Sequence, residues 1–169
     1  EKLALIETDA TASVARTEAA IDRLVDAAST RAAADLTAAI DRAAVVQGAA
    51  DGFGVPIGSY YTPGAPGYVD MTGVNPFDQA KARALLHQAG ITPPLELVMK
   101  LPPTPYARQG GEVIAAMLDK VGIKAKMENI EWAQWLSGVY KDKAYDLTVI
   151  AHVEPLDFGN FARPGYYWG

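Results

Sequence analysis

The most constraining feature of this sequence is a stretch whose hydrophobic period changes twice. Apolar side chains alternate along residues 95–101, recur at helical spacing along 106–121, and alternate again along 123–130. Gly122 separates the helical pattern from the second alternating run, as glycine commonly does where a helix ends. Two strands joined by one helix predict a βαβ unit, in which the strands are parallel and the crossover is right-handed. The chain is therefore predicted to have an α/β fold.

Further patterns extend this unit into one mixed sheet flanked by helices. Strands are predicted near 3–8 and 145–151. The strand at 145–151 is apolar and rich in β-branched residues, so it is predicted to be central. Helices are predicted near 31–48, 76–89 and 131–141. The apolar phase of these elements predicts a core made of Leu86, Leu97, Val113, Ile114, Met117, Leu118, Val121, Ile123, Leu147 and Val149.

The helix at 76–89 carries signals at both of its ends. Asn75 is predicted to be its N-cap, Pro76 suits the first turn, and Asp78 places negative charge at the positive end of the helix dipole. Gly90 is predicted to end it. The preceding residues, 52–75, are so rich in Gly and Pro that we predict no regular structure there.

Composition limits the function classes open to the chain. Its 169 residues have the length of one domain, and half of them are apolar. A net charge of −5 argues against nucleic acid as a partner, since such a partner calls for a basic surface. The lack of cysteine excludes disulfides and thiolate metal sites. No apolar run approaches the roughly 20 residues that a membrane-spanning helix needs.

The sequence gives little support to catalysis. His87 and His152 are the only histidines, so a histidine-based metal site or triad would need both. No serine lies in a Gly-x-Ser-x-Gly elbow, and Gly52-Phe-Gly54 lacks the third glycine of a dinucleotide fingerprint. Glu154 and Asp157 lie three residues apart in a Pro-containing loop, which is not a specific acid/base signal. We therefore predict no enzyme activity, no cofactor and no metal site.

Several short motifs follow one another along residues 36–169. They are Ala39-Ile-Asp-Arg42, Asp51-Gly-Phe-Gly-Val-Pro56, Asp78-x-x-Lys-Ala-x-x-Leu-Leu-x-x-Ala-Gly90, Val121-Gly-Ile-Lys124 and Glu131-Trp-Ala-Gln-Trp135. Their content and order resemble the dipeptide, oligopeptide and nickel class of extracytoplasmic solute-binding proteins of ABC importers. The resemblance implies a single α/β lobe of the type II periplasmic-binding-protein kind.

The chain departs from this family in one segment and in length. Family members usually carry Pro-Pro-Phe-x-Asp-x-Arg-Val-Arg before the Ala-Ile-Asp-Arg helix, whereas residues 14–34 here are Ala-rich and lack it. Members are also much longer and have two lobes, and the motifs found here belong to the second. We therefore divide the predicted single lobe, 1–169, into an atypical bridging or engineered segment at 1–35 and a family-like second lobe at 36–169.

The resemblance implies a transport function outside the cytoplasm. This lobe would form one wall of a cleft for a small, peptide-like solute, and the missing first lobe would supply the other wall. Closure of a hinged cleft on the solute would present the receptor to an ABC permease. Taken alone, the lobe would expose its wall and could self-associate. The alternative is an engineered or trimmed single-lobe scaffold that binds no ligand.

The loop after the strand at 145–151 is the best candidate site, because ligands of open α/β sheets bind at the carboxyl ends of strands. By resemblance, Glu154 or Asp157 would meet a peptide amino terminus or another cationic group. Otherwise, Glu154 caps a turn and Arg163 forms a surface ion pair. The other candidates in this loop are His152, Arg163, Tyr166, Tyr167 and Trp168.

Aromatic residues elsewhere complete the predicted site. Trp132 and Trp135 are three residues apart on a short helix and share a face, so one is expected on the sheet and the other nearer the cleft. A core position is favoured for both, and Trp135 is included among the candidate ligand contacts. Tyr60 and Tyr61 resemble a cleft-edge segment of the family, although they could instead hold their own loop together.

Overall fold

The βαβ unit that the sequence predicts forms the centre of the fold. A computed structural model describes residues 37–59 and 61–151. Strand β1 (Leu95–Leu101) pairs in parallel along its whole length with β2 (Ile123–Asn129) and at two positions with β3 (Leu147–Thr148). The described sheet therefore has the order β2-β1-β3, with every pairing parallel. The predicted strand at 3–8 lies outside the described residues.

Helices precede, connect and follow the strands. They are α1 (Arg42–Ala50), α2 (Gln79–Gln88), α3 (Pro105–Asp119) and α4 (Trp132–Gln134), and α4 continues as a π-helix over Trp135–Lys141. Helix α3 is the crossover between β1 and β2, as predicted. No helix in the described ranges is long and apolar enough to cross a membrane.

Helix α1 packs against α3 in the opposite direction. The backbone N–H of Asp41 donates to Met117 Sδ at 3.3 Å, near the end of α3. At the other end, a Cβ on Gly110 would lie 3.5 Å from the Cβ of Ala49. Because α3 begins where β1 ends, the C-terminal end of α1 reaches the edge of the sheet at which the strands end.

The prediction of one continuous helix over 31–48 is wrong at residues 40 and 41, where the described backbone is not helical. Asp41 is the N-cap of α1, and its carboxylate accepts hydrogen bonds from the N–H groups of Ala43 and Ala44 at 3.0 and 3.3 Å. Its backbone is extended, with φ −79° and ψ 103°. An aspartate side chain that bonds to nearby backbone competes with helix continuation, and here it starts a new helix.

Helix α2 begins later than predicted. Asp78, rather than Asn75, is the N-cap, and its side chain accepts a hydrogen bond from the N–H of Lys81 at 2.9 Å. The N–H of Asp78 donates to Ala38 O at 2.8 Å, which fixes the extended backbone before the helix. Gly90 ends the helix in the left-handed region, with φ 75°, as predicted.

Strand β3 is shorter than predicted. The strand expected at 145–151 pairs only over Leu147–Thr148, and the central strand of the described sheet is β1. The carboxylate of Asp146 accepts from Val98 N at 2.7 Å, while the N–H of Asp146 donates to Val98 O at 3.3 Å. The side chain thus takes the place of a backbone acceptor, and ladder pairing begins only after it.

The predicted core is correct from the C-terminal end of α3 into the start of β2, and is less complete in the middle of α3 and along β1 and β3. Leu86, Met117, Leu118, Val121 and Ile123 are buried, whereas the other five predicted core residues are half-buried. The largest buried side chains that the prediction missed are Met99, Leu101 and Val139, while Trp135 is buried, as the favoured interpretation of it predicts. Met99 and Leu101 lie on the same face of β1, which packs against the helices.

Candidate functional site

Three segments meet where the strands of the parallel sheet end. β1 runs through Thr104 into α3, β2 runs into Glu131 at the start of α4, and β3 runs on to Ala151. Because parallel strands point the same way, these segments lie along one edge, which we call the carboxyl edge. Its side chains at the start of α3 are Thr104, Tyr106 and Arg108.

Two contacts tie the segments of the carboxyl edge together. The N–H of Ala151 donates to the hydroxyl oxygen of Tyr106 at 3.0 Å. Arg108 Nη2 lies 4.0 Å from Glu131 Oε1, and both side chains are well exposed, so this ion pair contributes little to stability. The Tyr106 contact brings the end of the described chain to α3. The predicted ligand loop continues from that point.

Two buried polar atoms at the carboxyl edge lack partners. Among the residues that the structure describes, neither Thr104 Oγ1 nor Arg108 Nε makes a hydrogen bond. Thr104 is the N-cap residue of α3, yet its side chain does not cap the helix. Unpaired buried polar atoms are uncommon in folded proteins, so hydrogen-bonding capacity is left unused at this edge.

The tryptophan pair divides into one buried and one exposed ring. Trp135 is 2% exposed, and its Nε1 donates to Thr148 Oγ1 at 3.1 Å. That hydroxyl in turn donates to Lys100 O at 2.7 Å, so Trp135 is fixed to the end of the sheet. Trp132 is 42% exposed and packs edge-on against Trp135, with ring centroids 5.8 Å apart and planes at 81°.

This arrangement changes the predicted roles of the two rings. The expectation of a core position for both is wrong for Trp132. Trp135 lies in the core, as the favoured interpretation predicts, and the exposed ring of Trp132 rests on it. Sequence spacing showed that the rings share a face, whereas the burial of Trp135 and its hydrogen bond to Thr148 distinguish them.

Tyr61 holds its own loop. It is half-buried, and its Cε2 would lie 3.3 Å from a Cβ added to Gly67, so the ring lies against the Gly67 backbone. This contact supports the interpretation of Tyr61 as a loop staple. The remaining predicted site residues lie outside the described residues and stay predictions: Tyr60, His152, Glu154, Asp157, Arg163, Tyr166, Tyr167 and Trp168.

One exposed aromatic at this end of the molecule was missed by the sequence analysis. Phe53 follows α1, whose C-terminal end reaches the carboxyl edge, and its side chain is 86% exposed. Its N–H donates to Ala50 O at 2.7 Å, which holds it close to the helix end. Its position between Gly52 and Gly54 is a signal that could have marked it, because glycines indicate a turn, and both of these have positive φ.

The described side chains offer recognition groups of mixed chemistry. The carboxyl edge combines an exposed indole, a guanidinium, a carboxylate and unused hydrogen-bonding groups. Within residues 37–59 and 61–151, no cluster of three or more His, Cys, Asp or Glu residues could hold a metal ion.

Comparison with known proteins agrees with this geometry. The family model described as "Bacterial extracellular solute-binding proteins, family 5 Middle" matches residues 25–164. The "Dipeptide-binding protein" of Escherichia coli K12 is 32% identical over 106 residues, which are 60% of this chain and 20% of that protein. The matched region thus spans about a fifth of the length of this curated relative.

Solved structures show the same fold. The binding protein AgaA of A. tumefaciens R10, solved with agropinic acid, is 28% identical with a TM-score of 0.62, over 69% of this chain and 24% of that one. DppA of Helicobacter pylori, solved with the peptide STSA, is 24% identical with a TM-score of 0.57, over 70% of this chain and 24% of that one. These likenesses confirm the predicted α/β lobe of the type II periplasmic-binding-protein kind.

Proposed function

The chain belongs to the family 5 bacterial extracellular solute-binding proteins, and from this premise we propose that it forms one wall of the solute cleft of an ABC-importer receptor. The observation that carries the proposal is the carboxyl edge. There an exposed Trp132, backed by the buried Trp135, lies on the segment that follows the Arg108–Glu131 pair. An indole face with polar groups beside it is a surface suited to binding a small amphipathic solute.

A peptide-like solute fits this surface best. The indole of Trp132 offers apolar area to a side chain, and the exposed part of the Arg108 guanidinium suits carbonyl or carboxylate oxygens. The loop that continues from Ala151 carries Glu154 and Asp157, which we predict meet the amino terminus of the solute. The "Dipeptide-binding protein" of E. coli is the relative whose name favours this class.

Binding, without chemical conversion, is the role that we assign to the site. The solute would be held between this wall and a second wall formed by polypeptide outside this region, as in a hinged receptor. Contacts to both walls supply the affinity difference that shifts the equilibrium towards a closed form. That closed form would be read by a permease in an extracytoplasmic setting.

Calorimetry with di- and tripeptide mixtures tests the proposal. The 169-residue chain is titrated alone and again as part of the polypeptide that its gene encodes. We expect weak or undetectable binding by the chain alone and micromolar binding by the longer protein, because one wall supplies only part of the contacts. A cooperative thermal melt of the lone chain provides the control for folding. Lack of binding in both forms would overturn the proposal and favour a scaffold without ligand binding.

A further inference from the structure

Exposed apolar side chains are concentrated in one segment. Of the ten large hydrophobic side chains that are exposed in the described part of the chain, seven lie between Phe53 and Phe77. We call these seven the loop surface. Phe53, Val55 and Val74 are the most exposed of them, at 86%, 66% and 60%. Large exposed apolar patches on proteins often mark interaction sites, and these seven side chains expose apolar area within a single segment, residues 53–77.

Backbone packing fixes the loop that carries this surface. The loop has two arms, one around Gly58 and the other around Met71 and Thr72. A Cβ on Gly58 would lie 2.1 Å from Thr72 N and 2.4 Å from the carbonyl carbon of Met71, so the backbones of the two arms cross in direct contact. The N–H of Val69 also donates to Ser59 Oγ at 3.2 Å, which closes the loop just outside the crossing. The loop therefore has a defined shape before anything binds to it.

Polar bonds pin the second arm to α1. Arg42 Nη2 donates to Thr72 O at 2.5 Å and lies 3.4 Å from Asn75 O. The carboxylate of Asp70 accepts from the N–H and the hydroxyl of Thr72 at 3.0 and 2.7 Å. These bonds lower the pKa of Asp70 below its usual value, the backbone bond most. Hydrogen bonds from polar groups thus fix the backbone of the loop, while its large apolar side chains face solvent.

The loop surface extends away from the candidate site. It begins at Phe53, beside the end of α1 that reaches the carboxyl edge, and ends at Phe77. The next residue, Asp78, donates its N–H to Ala38 O, so Phe77 lies close to where the described chain begins. Anything that covers this surface would therefore adjoin the solute site at one end.

We propose that the loop surface is the docking face for the rest of the receptor, the polypeptide that the relatives carry outside the region matched here. This inference rests on the proposed function. The matched region is a fifth of the E. coli relative and about a quarter of the solved neighbours, so most of such a protein lies outside it. A second copy of this chain is a poorer occupant, because each copy carries a net charge of −5.

Cysteine labelling tests the docking face directly, since the chain has no cysteine of its own. Val55→Cys, Val74→Cys and the control Met127→Cys each add one thiol at an exposed apolar position, the control on β2. Labelling rates are measured in the 169-residue chain and in the full polypeptide that its gene encodes. We expect the thiols at 55 and 74 to react about tenfold or more slowly in the longer protein, and the thiol at 127 to react equally in both.

Three results would overturn the inference. Equal rates at 55 and 74 in both forms would show that the rest of the protein leaves the loop surface open. Slower labelling of the lone chain as its concentration rises would identify a second copy as the occupant. A gene that encodes no further polypeptide would remove the proposed occupant. Peptide binding by the longer protein with equal labelling rates would leave the proposed function standing, so the two ideas fail separately.

Discussion

The βαβ unit and the loop between α1 and α2 keep their shapes by different means. In the βαβ unit, Met99, Leu101 and Leu118 are each 1% exposed, so burial of apolar area holds the strands and helix together. In the loop, Gly58 and Arg42 fix the backbone while the large apolar side chains face solvent. The βαβ unit is therefore a core that stabilises the fold. The loop is an exposed surface whose apolar side chains contribute to stability only when another group covers them.

Removing a core side chain from the βαβ unit is expected to give the largest loss of stability, because this region is held by burial. Leu118→Ala leaves a cavity in a fully packed region and should lower the free energy of unfolding by about 2–5 kcal/mol. Urea denaturation measures the change. Leu136→Ala, at a site that is 53% exposed, is the matched control and should stay within about 0.5 kcal/mol. Equal losses in both variants would contradict the assignment of the core.

Crowding the crossing point of the loop should have a smaller effect. Gly58→Ala places a methyl group against the backbone of Met71 and Thr72, and we expect a loss of about 1–3 kcal/mol. Gly73→Ala is the control, since a Cβ there meets no neighbour within 4 Å. Hydrogen exchange should show faster opening of residues 69–75 in the first variant alone. Unchanged exchange there would mean that the crossing does not fix the loop.

Acid should weaken the loop before the core, and this is the smallest effect. The folded pKa of Asp70 lies below the usual 3.8, so its contribution to stability is complete above that value and is lost as the pH falls through the lowered pKa. We expect the protection factor of the Thr72 amide, which is its exchange rate relative to that of an unfolded chain at the same pH, to fall in the unaltered chain once the pH is below 3.8. Asp70→Asn does not titrate and should remove this dependence. The same acid response in that variant would assign it to another group.

The βαβ unit could be predicted because period alone identifies its elements. Alternation along 95–101 predicts a strand, and helical spacing along 106–121 predicts a helix. The parallel pairing of β1 with β2 then follows from the helical crossover between them. It was harder to predict which of two nearby side chains caps a helix. Asn75 and Asp78 are both good N-cap residues, and the bond from Asp78 N to Ala38 O, which is distant in sequence, selects the second.

The candidate site depends on contacts that the sequence does not display. The carboxyl edge follows from topology, but the choice of Trp132 as the exposed ring depends on a hydrogen bond between Trp135 and Thr148. The length of β3 likewise depends on the carboxylate of Asp146 taking a backbone partner on β1. The outward face of the loop shows no periodic pattern, so no rule of amphipathicity could have found it.

The most direct test of the account compares an exposed position at the carboxyl edge with an exposed position at the opposite end of the sheet. In the full polypeptide encoded by the gene, calorimetry with the best-binding di- or tripeptide is repeated on Trp132→Ala, at a residue that is 42% exposed, and on Lys124→Ala, at a side chain that is 60% exposed. If the carboxyl edge is the ligand-contacting wall, Trp132→Ala should raise Kd about tenfold, because an aromatic contact worth roughly 1.4 kcal/mol is lost. Lys124→Ala should leave Kd unchanged, because Lys124 lies at the start of β2, away from the edge at which the strands end. Equal affinities for the unaltered protein and Trp132→Ala would contradict the account.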